Sequence, residues 1–228
     1  QLKSHNLESF MNKDLFFDYG GLLFAYRFTP ETLMRAHNLM LPQLAQFSNG
    51  LKINDLATAH NQAIQAYLAS RGQNGEEWRM DRIMGLFLRN LGIRNEQAVR
   101  LAVETYKLHD HDEFPMLGIP ELVPELARDN SLHIVSNLPH DSALHSLRGH
   151  GLLRHFTTTT FSYEAGYRKP RPEIYHLALQ RAQCNPAKGL FISHDQEEVD
   201  GAKRVGMQAY LATNADEIRG ALHENSLH

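Results

Sequence analysis

The residue with the clearest chemical potential in this sequence is Asp18, a carboxylate that directly follows an apolar run. Residues 15–17 are Leu-Phe-Phe, and Gly20 and Gly21 come shortly after Asp18. A buried strand that ends in a carboxylate and a glycine turn holds a nucleophile or metal ligand where backbone can approach a ligand closely. An isolated Asp-x-Gly-Gly is more often an ordinary strand end, so the prediction of a nucleophile at Asp18 depends on the other motifs.

Two further apolar runs also end in polar side chains. Ser136 and Asn137 follow the apolar residues 132–135, and the sequence Ser-His-Asp at 193–195 follows the apolar residues 190–192. A small hydroxyl at a strand end can donate a hydrogen bond to a phosphoryl oxygen, and the next backbone N–H can help. Taken alone, Ser-Asn after a strand is more often turn chemistry. In context, we expect Ser136 to be catalytic and Asn137 to bind substrate.

Lys169 is the basic residue best placed to act on an anionic substrate. It lies in Gly-Tyr-Arg-Lys-Pro at residues 166–170, with a second proline at Pro172. An ammonium here offsets repulsion between the Asp18 carboxylate and an anionic substrate, and it holds the nucleophile in place. Pro170 keeps Lys169 out of helical geometry, and Pro172 can begin the next helix. A solvated basic loop is the weaker alternative.

The elements that must position these side chains follow two patterns. Between residues 30 and 108, apolar residues recur at three-four spacing in four runs, which predicts a bundle of amphipathic helices. From about residue 114, short β-rich runs alternate with helices. The predicted strands here are 132–136, 157–161, 190–193 and 208–212, and the predicted helices are around 120–129, 140–149, 173–183, 197–205 and 215–224.

Capping and breaking residues predict where the helices of the first region begin and end. Asn54 is the candidate N-cap of the second run and Gly72 its stop, and Asn95 is the candidate N-cap of the fourth. Pro42 should kink or split the first run, residues 31–47.

Strand–helix alternation implies a parallel sheet that helices cover on both faces. The strand at 14–18 can join this sheet only if the helical block is an insertion. We therefore predict an α/β fold with a Rossmann-like core, residues 13–27 and 110–228, and an inserted helical cap, residues 28–109. Ligands collect at the carboxyl ends of such strands. Residues 1–12 are expected to be a leader or a tag remnant.

Taken together, the four ordered motifs at Asp18, Ser136, Lys169 and Ser193 resemble those of the haloacid dehalogenase-like (HAD) hydrolase superfamily. The resemblance extends over nearly the whole chain, from residue 15 to 207. It implies a phosphatase that acts on a small phosphorylated metabolite through an aspartyl-phosphate on Asp18. It also implies Mg²⁺ as cofactor, with Asp18, the Gly20 carbonyl and Asp195 as its ligands. Of the residues near the strand ends, Gly20, Gly21, Asn137 and Ser193 are expected to bind substrate.

Two of the four motifs depart from the family pattern. The family usually carries a second aspartate at the position of Gly20, which serves as the general acid and base, and loss of such a group typically costs about 10²–10⁴ in rate. Ser193 and His194 stand where acids are expected in the fourth motif, with Glu198 at the second acidic position. Asp195 either ligates the metal or caps the next helix, with Glu198 completing a capping box.

These departures leave two other functions open. The first is a metal-independent 2-haloacid dehalogenase-type hydrolase, since the dehalogenases of the superfamily resemble this chain in having a serine at the position of Ser193. They need no metal, and their reaction does not use the aspartate that Gly20 replaces. The second is a non-catalytic protein of the same fold that binds a phosphorylated ligand.

Composition narrows the class of protein further. Hydrophobic residues make up 42% of the 228 residues and charged residues 21%, enough for a packed core. With 23 basic and 26 acidic residues, the formal charge of −3 gives no reason to expect a nucleic-acid partner. No apolar stretch approaches the length of a membrane span. Cys184 is the only cysteine, which fits a cytoplasmic setting. The small-molecule substrate that the family resemblance implies therefore remains the expected partner.

Overall fold

The computed structural model describes residues 13–224, so the predicted leader or tag remnant lies outside the described residues. Within that range the chain forms two compact units. The first comprises residues 13–25, Phe114–Asn137 and 143–224, and the second comprises Tyr26–Glu113 and Leu138–Ser142. The segment Leu138–Ser142 is assigned to the second, helical unit, which the sequence did not predict.

Strands and helices follow one another along the described residues in the following order. The strands are β1 (Asp14–Phe17), β2 (Phe24–Arg27), β3 (Asp112–Pro115), β4 (Ser131–Ser136), β5 (Phe156–Phe161), β6 (Gly189–Ser193) and β7 (Gln208–Leu211). The α-helices are α1 (Pro30–Leu44), α2 (Ile53–Asn74), α3 (Met80–Asn90), α4 (Glu96–His109), α5 (Ile119–Leu126), α6 (Ser142–Gly149), α7 (Ser162–Ala165), α8 (Pro172–Ala182), α9 (Gln196–Arg204) and α10 (Ala215–Glu224).

The sheet of the first unit confirms the predicted α/β fold. Its five described strands lie in the order β5-β4-β1-β6-β7, and every neighbouring pair is parallel. The five strands predicted from the sequence are present to within one residue at each end, and the predicted helices between them show small shifts. The central strand β1 pairs on both sides, with Phe17 opposite Ile134 on β4 and opposite Ile192 on β6.

This central position explains why the strand is apolar throughout its inner part. Leu15, Phe16 and Phe17 are at most 1% exposed, as expected for a parallel strand with both faces covered. On one side, Phe16 packs with Phe191 in a cluster that also contains Tyr175 of α8. The register of this packed strand decides where the chain after Phe17 emerges, which is at the carboxyl end of the sheet.

Four helices, α1 to α4, form the second unit around an apolar core. Met40, Leu56, Met84, Phe87 and Tyr106 are all fully buried in it. The four runs of three-four spacing correctly predicted these helices, because each helix must bury one apolar stripe against the others.

Pro42 lies within α1, which continues from Pro30 to Leu44, so this proline does not split the helix; the kink that was the other expectation stays a prediction. Both bounds predicted for the second helix were wrong. Helix α2 begins after Lys52 rather than Asn54, since the Asp55 carboxylate accepts a hydrogen bond from the Lys52 N–H at 2.8 Å. It continues through Gly72 and ends at Gly75, which has a left-handed φ of 71°.

The predicted N-cap of α4 is confirmed, because the Asn95 side chain accepts from the Ala98 N–H at 3.0 Å. The pairing of β2 with β3 was not predicted, since four-residue strands give too short a pattern to recognise. The chain passes from the first unit to the second along β2 and returns along β3. No helix within residues 13–224 has both the length and the apolar character that a membrane span requires.

Candidate active site

Asp18 lies directly after β1, at the carboxyl end of the sheet. Its backbone N–H donates to the Ile192 carbonyl at 2.9 Å, which continues the pairing with β6 by one residue. Its side chain is only 5% exposed. The Oδ1 atom accepts hydrogen bonds from Lys169 Nζ at 2.5 Å and from the Tyr19 N–H at 2.8 Å. The carboxylate is therefore fixed in one orientation by groups on both sides of it.

The Lys169 side chain is fully buried and reaches this carboxylate from the loop between α7 and α8. Its ammonium lies 2.5 Å from Asp18 Oδ1, 2.8 Å from Glu198 Oε2 and 2.8 Å from the Val135 carbonyl oxygen. An ammonium has three N–H donors, so these three acceptors satisfy it. The structure thus brings together the two side chains, Asp18 and Lys169, that the sequence analysis predicted to act as a pair.

Electrostatics within this buried group favour an ionised Asp18. Burial alone would raise the pKa of the Asp18 carboxyl, but the charge of Lys169 and hydrogen bonds from His194 and Lys169 outweigh it and lower the pKa. Burial would lower the pKa of the Lys169 ammonium, but the charges of Asp18 and Glu198 raise it. The pKa of Glu198 is raised, chiefly by burial and also by the neighbouring negative charge of Asp18.

The side chain of Asn137 holds the Lys169 loop, and the substrate-binding role predicted for this residue stays a prediction. Its Oδ1 accepts from the Lys169 N–H at 2.7 Å, and its Nδ2 donates to the Lys169 carbonyl at 3.2 Å and to Glu198 Oε1 at 3.0 Å. All of the amide's strong hydrogen-bonding groups are therefore engaged by protein.

Ser136, by contrast, keeps its hydroxyl available. It is the last residue of β4, and the residue as a whole is 3% exposed. No side chain or backbone group within residues 13–224 forms a hydrogen bond with its Oγ. Since Asp18 emerges beside Val135 in the register of β1 and β4, this hydroxyl lies one residue further along the same sheet edge.

Ser193 and Glu198 complete the buried hydrogen-bond network. The Ser193 hydroxyl lies 2.7 Å from Glu198 Oε2 and 3.4 Å from Asp18 Oδ2. Glu198 lies in the first turn of α9, and the capping box that was considered for it does not form. Its carboxylate faces Lys169 and Ser193 instead, so Glu198, which the sequence analysis placed at the second acidic position of the fourth motif, lies in the site as the partner of these two residues.

Asp195 was considered as a metal ligand and as a helix cap, and in the structure its side chain caps α9. The carboxylate is exposed and accepts a hydrogen bond from the Glu197 N–H at 2.8 Å.

His194 is a residue that the sequence analysis left without a role. Its Nδ1 lies 2.9 Å from Asp18 Oδ2, and this hydrogen bond raises the pKa of the imidazole. The ring lies against Gly21, where an added Cβ would come within 2.7–2.8 Å of three ring atoms. Gly21 also has a φ of 79°, which side-chain-bearing residues rarely adopt. The glycine at this position could have signalled a close neighbour, but nothing in the sequence identified His194 as that neighbour.

The two glycines themselves have different roles in the turn. The Gly21 N–H donates to the Phe24 carbonyl at 2.8 Å, so it closes the turn and is not available to a substrate. Gly20 forms a bridge with Phe24 and has no side chain to offer as an acid or base. The substrate-binding roles predicted for both residues stay predictions.

The donor set around Asp18 does not fit a magnesium ion. Hard divalent ions prefer several oxygen ligands, yet Ser193 is engaged with Glu198 and the Asp195 carboxylate caps a helix. The Glu198 carboxylate, which belongs to the same buried group, is paired with Lys169 at 2.8 Å. Among the described residues, no group of three or more Asp, Glu, His or Cys side chains has the geometry to hold a metal ion.

Similarity to known proteins agrees with the motif pattern. The sequence profile of the haloacid dehalogenase-like hydrolase family matches residues 53–212. The chain is 30% identical over 200 residues to haloacid dehalogenase-like hydrolase domain-containing protein 3 from Bos taurus, covering 85% of this chain and 77% of that protein.

Solved structures show the same fold at low sequence identity. A 2-haloacid dehalogenase from Pseudomonas syringae superposes with a TM-score of 0.66 at 18% identity, covering 94% of this chain and 99% of that one. A HAD phosphatase from Thermococcus onnurineus superposes with a TM-score of 0.57 at 19% identity, covering 92% of this chain and 97% of that one. The ordered motifs, the parallel sheet that brings them together and the match over most of the sequence lead to one conclusion: this chain belongs to the haloacid dehalogenase-like hydrolase family.

Proposed function

We propose that this protein is a phosphatase that hydrolyses a small phosphorylated metabolite through a covalent intermediate on Asp18. The observation that carries the proposal is the buried contact of 2.5 Å between Asp18 Oδ1 and Lys169 Nζ at the carboxyl end of the sheet. A carboxylate that is already ionised needs no general base before it attacks. The lowered pKa of Asp18 supports that state at neutral pH.

Hydrogen-bond donors at the site support a substrate that carries acceptor oxygens. The pKa of His194 is raised by its hydrogen bond to Asp18, and Nε2 of this partly exposed ring has no partner within the described residues and can donate to a substrate oxygen. Ser136 adds a hydroxyl that has no protein partner within the described residues, and such a group can donate to a phosphoryl oxygen. These two features favour a substrate that brings acceptor oxygens to the end of the sheet.

The reaction has two displacements. An Asp18 oxygen attacks phosphorus, the P–O bond to the organic group breaks, and the alkoxide leaves with the electron pair. Water then attacks the acyl phosphate, which releases inorganic phosphate and restores the carboxylate. Gly20 carries no acid to protonate the leaving alkoxide, so that proton comes from solvent. We also propose that helical residues 28–109 act as a cap that selects the substrate.

The test is turnover of p-nitrophenyl phosphate by the parent protein and by Asp18→Asn. We expect the variant to lose roughly 10³-fold or more, as when other enzymes lose a nucleophile. Asp129→Asn is the matched control, because Asp129 is exposed and lies outside the site. After acid quenching, mass spectrometry should find a phosphoryl group on the parent peptide that contains Asp18. Equal turnover by the parent and Asp18→Asn would reject the proposal.

A second candidate is hydrolysis of a carbon–halogen bond, which the position of Ser193 favours. Its hydroxyl lies 2.7 Å from Glu198 and 3.4 Å from Asp18, where the phosphatases of the superfamily usually carry an acid. In this reaction Asp18 would attack carbon and displace halide, forming an ester that water cleaves. A halide needs no proton to leave, so Gly20 is compatible with it.

Halide release from 2-chloropropionate in EDTA separates the two reactions. The protein would be a dehalogenase if the parent releases halide, Asp18→Asn does not, and the parent does not turn over p-nitrophenyl phosphate. If the parent turns over neither substrate but binds orthovanadate in calorimetry, the non-catalytic binding protein replaces both.

A further inference from the structure

The end of β6 beside Asp18 has no carboxylate available for a metal ion. Ser193 ends the strand, and its hydroxyl lies 2.7 Å from Glu198 Oε2. Asp195 follows, but its carboxylate caps α9 by accepting from the Glu197 N–H. Ser193 and Asp195 are thus engaged in other contacts, and the residue between them in the sequence is the one whose side chain lies next to Asp18.

That residue is His194, and its ring is fixed by two contacts. Nδ1 lies 2.9 Å from Asp18 Oδ2. The opposite side of the ring packs on Gly21, where a methyl group would lie 2.7 Å from Nε2 and 2.8 Å from Cδ2 and Cε1. Only a residue without Cβ leaves this space, so Gly21 and His194 are a matched pair.

With His194 in place, both oxygens of Asp18 already have partners. Oδ1 accepts from Lys169 and from the Tyr19 N–H, and Oδ2 lies near His194 and, at 3.4 Å, Ser193. Magnesium requires oxygen ligands at about 2.0–2.1 Å in near-octahedral geometry. An imidazole that donates through Nδ1 is not such a ligand, and an ion that bound Oδ2 would have to displace the ring.

We propose that His194 takes the position of the divalent cation at the nucleophile, so that the site orients Asp18 and binds its anionic substrate without a metal ion. That the bound anion is a substrate rests on the proposed function, whereas the absence of a metal requirement rests on the contacts of Asp18 and His194. Nε2 has no hydrogen-bond partner within residues 13–224, and the side chain is 40% exposed. This nitrogen is therefore available to a substrate oxygen.

Calorimetric titration of magnesium chloride tests the inference without any need for turnover. We expect no binding to the parent protein. His194→Asp places a carboxylate beside Asp18 and should bind magnesium at a concentration at least tenfold below the highest one at which the parent shows no binding. His194→Asn has nearly the same shape without the charge and should not bind. The binding gained by His194→Asp should disappear when Asp18→Asn is added.

Two results would overturn the inference. One is magnesium binding by the parent that Asp18→Asn abolishes, and the other is a folded His194→Asp variant that gains none. If His194→Asp does not fold by circular dichroism, the parent and Asp18→Asn titrations decide alone. A parent rate that is equal in EDTA and in magnesium would support the inference through activity. Absence of turnover with every substrate would instead reject the proposed function and leave the calorimetric result standing.

Discussion

Asn137 holds the backbone of Lys169 from both sides: it accepts from the Lys169 N–H at 2.7 Å and donates to the Lys169 carbonyl at 3.2 Å. The same Nδ2 contacts Glu198 Oε1 at 3.0 Å. One amide therefore fixes the loop that carries the ammonium and the helix that carries its second carboxylate. We therefore expect Asn137 to act on the proposed reaction through Lys169, as a positioning residue.

The first prediction concerns this positioning role. Asn137→Ala should lower kcat by roughly 10–10²-fold with a smaller change in KM, because a displaced ammonium misplaces the nucleophile more than it weakens substrate binding. Steady-state kinetics with p-nitrophenyl phosphate measures the effects on kcat and on KM separately. Asn185→Ala, at an exposed asparagine, is the control and should leave both constants unchanged. A change confined to KM would show that Asn137 binds substrate directly.

The second prediction concerns the stability of the buried charges. Lys169→Met leaves Asp18 and Glu198 without their common cation, which should lower the free energy of unfolding by about 3–5 kcal/mol. Adding Glu198→Gln removes one of the two orphaned charges and should restore part of the loss. Urea unfolding at neutral pH measures both variants. Equal stability of the parent and Lys169→Met would mean that the ammonium contributes nothing net to the fold.

The third prediction concerns the packing of α9. An added Cβ at Gly201 would lie 2.8 Å from Pro170 Cβ, the Pro170 carbonyl oxygen and the Tyr175 hydroxyl. Gly201→Ala should therefore destabilise the protein by roughly 1–3 kcal/mol, as overpacking does. Gly220→Ala in α10 is the matched control, since a Cβ added there would have no neighbour within 4 Å. It should be neutral or stabilising by up to about 1 kcal/mol. Thermal unfolding distinguishes the two, and similar melting temperatures would contradict the close contact.

The fourth prediction concerns acid stability. Burial lowers the pKa of His60 to about 4, with a further contribution from His37. The folded state thus binds a proton less readily than the unfolded state, whose histidine titrates near 6.5. The stabilisation is complete above that value and is lost as the pH falls from 6.5 through 4, by up to about 3 kcal/mol.

Urea unfolding at pH 7 and at pH 4.5 measures this loss. His60→Phe keeps a ring stacked on Tyr106 and should reduce the difference in stability between the two pH values. The exposed His145→Gln should leave the difference unchanged. If His60→Phe lost as much stability as the parent on acidification, another group would control the acid transition.

The fifth prediction concerns the missing acid at Gly20. The parent should cleave p-nitrophenyl phosphate much faster than an alkyl phosphate, because nitrophenolate leaves without a proton. Gly20→Asp should lower the ratio of the rate on p-nitrophenyl phosphate to the rate on the alkyl phosphate, by up to about 10²-fold. Gly20 is not among the described glycines with positive φ, so its backbone accepts a side chain. Equal parent rates on the two esters would indicate that another group already donates the proton.

Part of the site could be predicted from the sequence because its signals are local. Asp18 and Ser136 each end an apolar strand, and parallel pairing necessarily brings such ends to one edge of a sheet. Lys169 stands before a proline in a loop between two elements, a context that the sequence itself specifies. The resulting contact between Asp18 and Lys169 follows from topology rather than from detailed packing.

The rest depended on contacts between residues far apart in sequence. The side chain of a glutamate in the first turn of a helix can either accept a hydrogen bond from the helix N-terminus or turn toward other elements. The Glu198 side chain turns away from the N-terminus because Lys169, Ser193 and Asn137 offer it partners. The place of His194 depends on the absence of a side chain at Gly21. Neither the contacts of Glu198 nor the contact between His194 and Gly21 leaves a periodic pattern or a fixed spacing in the sequence, so sequence reasoning could not find them.

The pairing of β1 also bears on how the chain folds during synthesis. Asp14 lies opposite Ser131 on one side and Gly189 on the other, so the strand that is translated first acquires its neighbours only after most of the chain has been made. Helices α1 to α4, whose contacts are nearer in sequence, lie between these partners. Long-range parallel pairing is slow to form, and unpaired apolar strands invite aggregation. The apolar segment Leu-Phe-Phe at residues 15–17 therefore stays unpaired until late in synthesis, and we expect it to be a place where the nascent chain is open to aggregation.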